Sequence, residues 1–205
     1  SPLVHGGGDH AHTRSEPLAE EEAIWRALVV GLRDYVGKNG FSRVLLGLSG
    51  GIDSAVVAAI AVDALGAENV RGVLLPSPYS SEGSTRDAHA SAKLLGIHTD
   101  TIPITPAMEA MENVLSPLMT NIREDITVGG NLQARIRGQI LMAISNKSGA
   151  LLLSTGNKSE VAVGYTTLYG DACGGYNPIK DVYKTQIYAL ARWRNEKAQA
   201  IPQGS

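Results

Sequence analysis

The period of the apolar positions changes repeatedly along this chain. After Pro17, the acids Glu20, Glu21 and Glu22 precede Ile24, Leu28, Leu32 and Tyr35. Acid in the first turn followed by an apolar stripe near the 3.6 period predicts an amphipathic helix, closing around Gly37 to Gly40. Val44 to Leu48 is a short apolar run, a buried strand by its length. Asp53 to Leu65 predicts an alanine-rich helix stopped by Gly66, and Val70 to Leu75 a second strand ended by Pro76 and Pro78. Ser84 to Leu95, closed by Gly96, predicts a helix, and Thr99 to Ile104 a third strand. Thr105 and Pro106 open another helix, with Thr as cap and Pro at the first position. A less regular stretch, Ser116 to Gly130, leads into a helix carrying Leu132, Ile136, Ile140 and Ile144 at spacing four. Ala150 to Ser154 predicts strand four and Tyr183 to Trp193 a final helix. Alternating strands and helices imply right-handed crossovers and an α/β fold: a doubly wound parallel sheet with helices on both faces. Ligands of such a sheet bind at the carboxyl ends of its strands.

Composition narrows the function classes. The chain has 205 residues, with 18 Lys plus Arg against 20 Asp plus Glu and a formal net charge of −2. That balance gives no basic surplus for nucleic acid, so no nucleic-acid partner is expected. Hydrophobic residues at 43% and charged ones at 19% suit a globular chain with a core. The run Ala55 to Val62 is too short to span a bilayer, and Ser1 to Ser15 lacks the apolar segment of a signal peptide. Cys173 is the one cysteine, which excludes a disulfide framework and a cysteine zinc site. The expectation is a cytoplasmic protein without a membrane partner. Residues 1–16, with Gly6, Gly7 and Gly8 in a row and with His5, His10 and His12, are expected to be a linker or disordered tail.

The chemistry concentrates in Leu46-Gly47-Leu48-Ser49-Gly50-Gly51-Ile52-Asp53-Ser54, between the first predicted strand and the first crossover helix. Two adjacent glycines let an anion approach the backbone, and the helix N-terminus beyond them favours negative charge. Ser49 and Ser54 add hydroxyls for phosphate oxygens. Asp53 would repel a phosphate unless a cation lay between them, which implies Mg²⁺ bridging this carboxylate and a triphosphate. The competing reading is a plain glycine turn with Asp53 or Ser54 capping the helix. No lysine follows the glycines, so this is not the G-x-x-x-x-G-K-[ST] loop, nor is it G-x-G-x-x-G.

Ser49-Gly50-Gly51-Ile52-Asp53-Ser54 resembles the pyrophosphate loop of the N-type ATP pyrophosphatases, the adenine nucleotide alpha hydrolase-like group that adenylates an oxygen and releases pyrophosphate. Three further stretches resemble NAD synthetase in order and spacing. They are Leu74-Leu75-Pro76-Ser77-Pro78-Tyr79-Ser80-Ser81, Asn131-Leu132-Gln133-Ala134-Arg135-Ile136-Arg137, and Ser154-Thr155-Gly156-Asn157-Lys158-Ser159-Glu160 followed by Gly164-Tyr165 and Tyr169-Gly170-Asp171. The resemblance runs from about Glu20 to Pro202 and is closest to the synthetase half of the glutamine-dependent type, whose upstream glutaminase domain has no counterpart here.

The resemblance implies ATP-dependent amidation of deamido-NAD to NAD by ammonia, through an acyl adenylate, with AMP and pyrophosphate released. It assigns Gly47, Leu48, Ser49, Gly50, Gly51, Ile52, Asp53 and Ser54 to the ATP phosphates, with Thr155 and Lys184 also on ATP. It assigns Asn131, Arg135 and Glu160 to deamido-NAD, and Asp53 with Glu160 to catalysis and to Mg²⁺. Each carries a plainer alternative: a helix cap for Thr155, dipole compensation for Glu160, a surface ion pair for Arg135, solvation for Lys184. The family's chains continue beyond the point matching Ile201 to Ser205, so residues 17–205 are expected to form a synthetase domain lacking its last ligand contacts. A homodimer is implied by resemblance alone. The rival readings are another ATP pyrophosphatase, above all GMP synthetase, and a non-catalytic adenine-nucleotide sensor.

Overall fold

A computed structural model describes residues 19–119 and 126–202. The tail with its histidines lies outside the described residues. Helix α1 spans Glu20–Lys38, strand β1 Val44–Gly47, helix α2 Ile52–Leu65 and strand β2 Val70–Leu74. Helix α3 (Glu82–Leu95), strand β3 (His98–Thr101), helix α4 (Thr105–Met119) and helix α5 (Ile126–Ser148) follow. Strand β4 (Leu151–Leu153), helix α6 (Lys158–Ala162) and helix α7 (Lys184–Lys197) complete the order.

The sheet order is β3-β2-β1-β4 with every pair parallel. Alternate strand residues go to opposite faces, as the pleat requires. Val44, Leu46, Leu151 and Leu153 pack with α1, α2 and α7, whereas Leu45, Val73 and Leu152 pack with Met108 of α4 and Ile136 of α5. Both faces are covered, so β1 is apolar throughout, and β2 is apolar apart from Arg71 and Gly72. The expected doubly wound α/β sheet is present. Strand β3 is a polar edge, His98-Thr99-Asp100-Thr101, tied to its neighbour by Arg71 Nε donating to Asp100 Oδ2 at 2.5 Å.

Three details depart from the sequence expectation. Helix α5 begins at Ile126 rather than near Leu132, passing through Gly129 and Gly130; two glycines cost a helix about 1 kcal/mol each and do not forbid it. Thr105 is itself the first helical residue of α4, with the Ile104 carbonyl accepting from Met108 N at 3.0 Å. Beyond β4 the chain returns to the sheet edge: Ser154 N donates to Tyr176 O at 2.9 Å and Gly175 N to Leu152 O at 2.8 Å. No apolar run announces that return, because the pairing is only a bridge between Leu153 and Tyr176. Among the described residues no helix is long and apolar enough to cross a membrane.

Candidate functional site

Strand order reverses at β1: β2 and β3 extend to one side of it, and β4 joins on the other. The crevice at the carboxyl ends of β1 and β4 is therefore the topological switch point, where open α/β sheets bind ligands. A cavity of about 540 Å³ occupies it, within the size range of small-molecule sites. Its walls include Gly47 at the end of β1 with Leu48 and Ser49 after it, Leu75 and Pro76 after β2, and Ser154 and Thr155 after β4. The start of α3 supplies Ser81, Ser84 and Thr85, and α5 supplies Ala134, Arg137 and Gly138.

The loop between β1 and α2 is held by its own hydroxyls. Gly51 N donates to Ser49 Oγ at 3.2 Å, Ser49 N to Ser54 Oγ at 3.3 Å, and Ser54 Oγ to Gly51 O at 2.9 Å. Gly50 has φ +86°, and a Cβ there would lie 2.1 Å from the Ser84 carbonyl oxygen. The second position needs glycine twice over, for its left-handed backbone and for its contact with α3. Gly51 is the residue preceding α2 and no side chain caps the helix. Both capping alternatives for Asp53 and Ser54 are thus overturned: Ser54 bonds back onto the loop, and Asp53 lies inside the first turn. Ile52 is 6% exposed, its side chain in the core, so only its backbone can serve a ligand.

Asp53 reaches across to the other half of the site. Its Oδ1 accepts from Asn157 Nδ2 at 3.0 Å, and its Oδ2 pairs with Lys184 Nζ. Lys184, at the first position of α7, therefore has a carboxylate partner and is not simply solvated. Asn157 is fully buried and joins two acids. Its Oδ1 accepts from Glu160 N at 3.0 Å, while its own N–H donates to Glu160 Oε2 at 3.2 Å, a reciprocal capping box at the start of α6. That assigns the cap to Asn157 and removes the cap alternative for Thr155, which lines the cavity instead. Glu160 has a local structural role in this box. Asp53, Glu160 and Lys184 do not line the cavity; they lie just past it, where the loop enters α2 and the β4 turn enters α6 and α7.

Asn131 and Arg135 are brought together as predicted, one turn apart on α5, but against the chain itself. Thr167 Oγ1 donates to Asn131 Oδ1 at 2.9 Å, and Arg135 Nε donates to Leu168 O at 3.2 Å. Arg135 thus holds a carbonyl and has no ion pair among the described residues. The segment they grip turns sharply at Tyr169, whose φ of 62° is the one left-handed non-glycine backbone among the described residues. Thr167 N donates to Asp171 Oδ1 at 2.7 Å across the turn. The turn presses so close to α5 that a Cβ on Gly138 would lie 2.8 Å from Gly170 O.

Of the residues at the site that the sequence did not single out, two matter most, Asn157 and Arg137. Asn157 carried a legible signal, an Asn with Glu three residues on, the pattern of a capping box. Arg137, half-buried in the cavity wall with Nε donating to Leu75 O at 3.0 Å, carried none beyond its place two residues after Arg135.

A site of this shape has known relatives. The family described as NAD synthase matches residues 24–204. The glutamine-dependent NAD(+) synthetase of Synechocystis sp. is 58% identical over 92% of this chain, which spans about a third of that protein, 34%. A solved glutamine-dependent NAD+ synthetase from Acinetobacter baumannii, in complex with ADP, superposes with TM-score 0.90 at 47% identity over 93% of this chain and 36% of its own. The NH3-dependent NAD synthetase of Campylobacter jejuni gives TM-score 0.79 at 33% identity, over 89% of this chain and 77% of its own. With that match across nearly all of the described sheet and its switch-point cavity, the chain belongs to the NAD synthase family.

Proposed function

We propose that this chain catalyses ATP-dependent amidation of deamido-NAD to NAD, using ammonia and releasing AMP and pyrophosphate. The observation that carries the reading is the switch-point cavity with the Ser49-Gly50-Gly51-Ile52-Asp53-Ser54 loop closing one end. Adenosine fills the cavity, and the triphosphate runs out along Gly47 to Ser54, with Thr155 facing it from β4. The nicotinate carboxylate attacks the α-phosphorus, the bond to the β-phosphate breaks and pyrophosphate departs. Ammonia then adds to the acyl carbon and AMP leaves. No side chain forms a covalent bond in either step, so positioning and charge neutralisation supply the catalysis.

The donor set suits Mg²⁺. This ion takes one or two carboxylates and completes its shell with phosphate oxygens and water. Asp53 and Glu160 are two hard oxygen donors held by one buried residue, Asn157, the first by its side-chain amide and the second by its backbone N–H, and among the described residues no group of three or more His, Cys, Asp or Glu forms an all-protein cage. Asp53 and Glu160 would hold the ion, which when bound neutralises charge on the departing pyrophosphate. Lys184 supports the same charge from α7. Asn131 and Arg135 hold the 167–168 segment and, with Glu160, face the acceptor dinucleotide. Ammonia comes from glutamine where a glutaminase domain accompanies the synthetase. A cytoplasmic setting, read from composition, and a homodimer, read from resemblance alone, complete the reading.

The test is incubation of the protein with Mg²⁺, ATP and ammonium, and with either deamido-NAD or xanthosine monophosphate as acceptor. NAD and AMP in equal amounts from deamido-NAD alone support the reading. Amidation of the purine nucleotide makes it a GMP synthetase, and nucleotide binding without turnover on either acceptor makes it a sensor.

A further inference from the structure

Among the described residues Arg137 is the one cation in the cavity wall. Its guanidinium is anchored at one side only: Nε donates to Leu75 O at 3.0 Å, and Nη2 reaches Gln133 Oε1 at 3.5 Å, a weak contact. Nη1 has no hydrogen bond to any described residue. Arg194, Arg71 and Arg26 are matched to carboxylates, Asp63, Asp100 and Glu22, while Arg33, Arg43 and Arg135 hold backbone carbonyls only; of the carbonyl-bound arginines none but Arg137 lines the cavity. Arg137 has no carboxylate within ion-pair distance among the described residues. The cavity's own acid, Asp171, spends Oδ1 on Thr167 N. Burial alone pushes the Arg137 pKa below its ordinary value, with no neighbouring charge to offset it. Arginine stays protonated even so, and a half-buried cation without a counterion is costly unless a ligand provides one.

Geometry restricts which ligand charge that is. The Leu75 carbonyl fixes the guanidinium at the carboxyl end of β2, in the wall of the same cavity that Gly47, Leu48 and Ser49 of the loop line. With the β- and γ-phosphates on the loop, the ligand phosphate nearest the cavity interior is the α-phosphate. We propose that Arg137 is the cation that pairs with the α-phosphate of the bound nucleotide, the phosphate that stays with adenosine after pyrophosphate leaves. This rests on the nucleotide site proposed above and adds a catalytic residue to it. The guanidinium neither gives nor takes a proton. It balances charge on the pentavalent α-phosphorus while one P–O bond forms to the nicotinate carboxylate and another breaks to pyrophosphate. Its planar fork suits two phosphate oxygens, which a lysine could meet only as a point charge.

The test separates the phosphate from the rest of the nucleotide. Binding of adenosine, AMP and ADP is measured by calorimetry to the wild-type chain and to Arg137→Met, which keeps an apolar stem. Arg137→Gln, which keeps a donor for Leu75 O, guards against misfolding of the first variant. Both variants should bind AMP at least ten-fold more weakly and adenosine within two-fold of wild type, and Arg137→Lys should recover part of the AMP affinity. Equal weakening of AMP and adenosine makes Arg137 a packing residue and overturns the proposal. So does unchanged AMP binding, or a loss confined to deamido-NAD. A wild-type chain that binds no adenine nucleotide refutes the underlying site before any variant is compared.

Discussion

Asn157→Ser isolates the amide that links the two halves of the site. Serine caps a helix about as well as asparagine, so the bond from Glu160 N should survive the substitution. What is lost is the donation from Asn157 Nδ2 to Asp53 Oδ1, 3.0 Å long and made by a residue with no solvent exposure. A hydrogen bond to a charged group contributes about 1.5–3 kcal/mol. For a domain of this size each kcal/mol shifts the melting midpoint by about 2–4 °C, so Asn157→Ser should melt about 3–12 °C lower. Asn157→Ala removes the cap as well and should lose about 1 kcal/mol more. Adenylation should slow about ten-fold in the serine variant, because a small misplacement of charged groups costs that much or more. Calorimetric melting of the three proteins, with pyrophosphate release on deamido-NAD and ATP, measures both effects. An Asn157→Ser protein that melts with wild type, beside an Asn157→Ala protein that does not, would reduce Asn157 to a helix cap and refute the bridging role.

Asp53→Asn removes the charge that faces Lys184. The two side chains are 17% and 36% exposed, so the pair is partly screened and its loss should cost about 1 kcal/mol, while pyrophosphate release falls on the order of 100-fold; turnover near wild type in the steady-state assay argues against a catalytic charge. Gly50→Ala forces a Cβ to 2.1 Å from a backbone oxygen at φ +86°, so the loop must move; ADP affinity should drop at least ten-fold, and a normal calorimetric titration would contradict the packing described. At the sheet edge, the Arg71 guanidinium lowers the Asp100 carboxyl pKa. A depressed folded-state pKa contributes stability above the unfolded value near 4 and loses it as pH falls through the folded value. Asp100→Asn should therefore cost less than about 1 kcal/mol at pH 7, since both side chains are substantially solvated, and the gap to wild type should close in urea melts taken below about pH 4.

The sheet was legible because its central strands are buried on both faces and read as apolar runs of strand length between helical periods. Val44 to Leu48 and Ala150 to Ser154 needed no tertiary knowledge. The left-handed backbone at Gly50 was legible for the same reason: a strand, two glycines and a helix restrict what the backbone can do. The start of α5 was not, because Gly129 and Gly130 read as breakers while tertiary packing carries the helix through them. Nor was the return of Gly175 and Tyr176 to the sheet edge, which rests on two backbone bonds and no hydrophobic period. Side-chain partners were least legible. The capping reading of Asp53 was reasonable from its position, yet its partners Asn157 and Lys184 lie 104 and 131 residues away and no local pattern encodes them.

The adenylation step is tested most directly by oxygen transfer. Deamido-NAD labelled with oxygen-18 in its nicotinate carboxylate is converted with ATP, Mg²⁺ and ammonium, and the AMP is analysed by mass spectrometry. If the carboxylate attacks the α-phosphorus in the switch-point cavity, the AMP formed carries one labelled oxygen on its phosphate. Unlabelled AMP, or ADP and a labelled inorganic phosphate, would contradict the account.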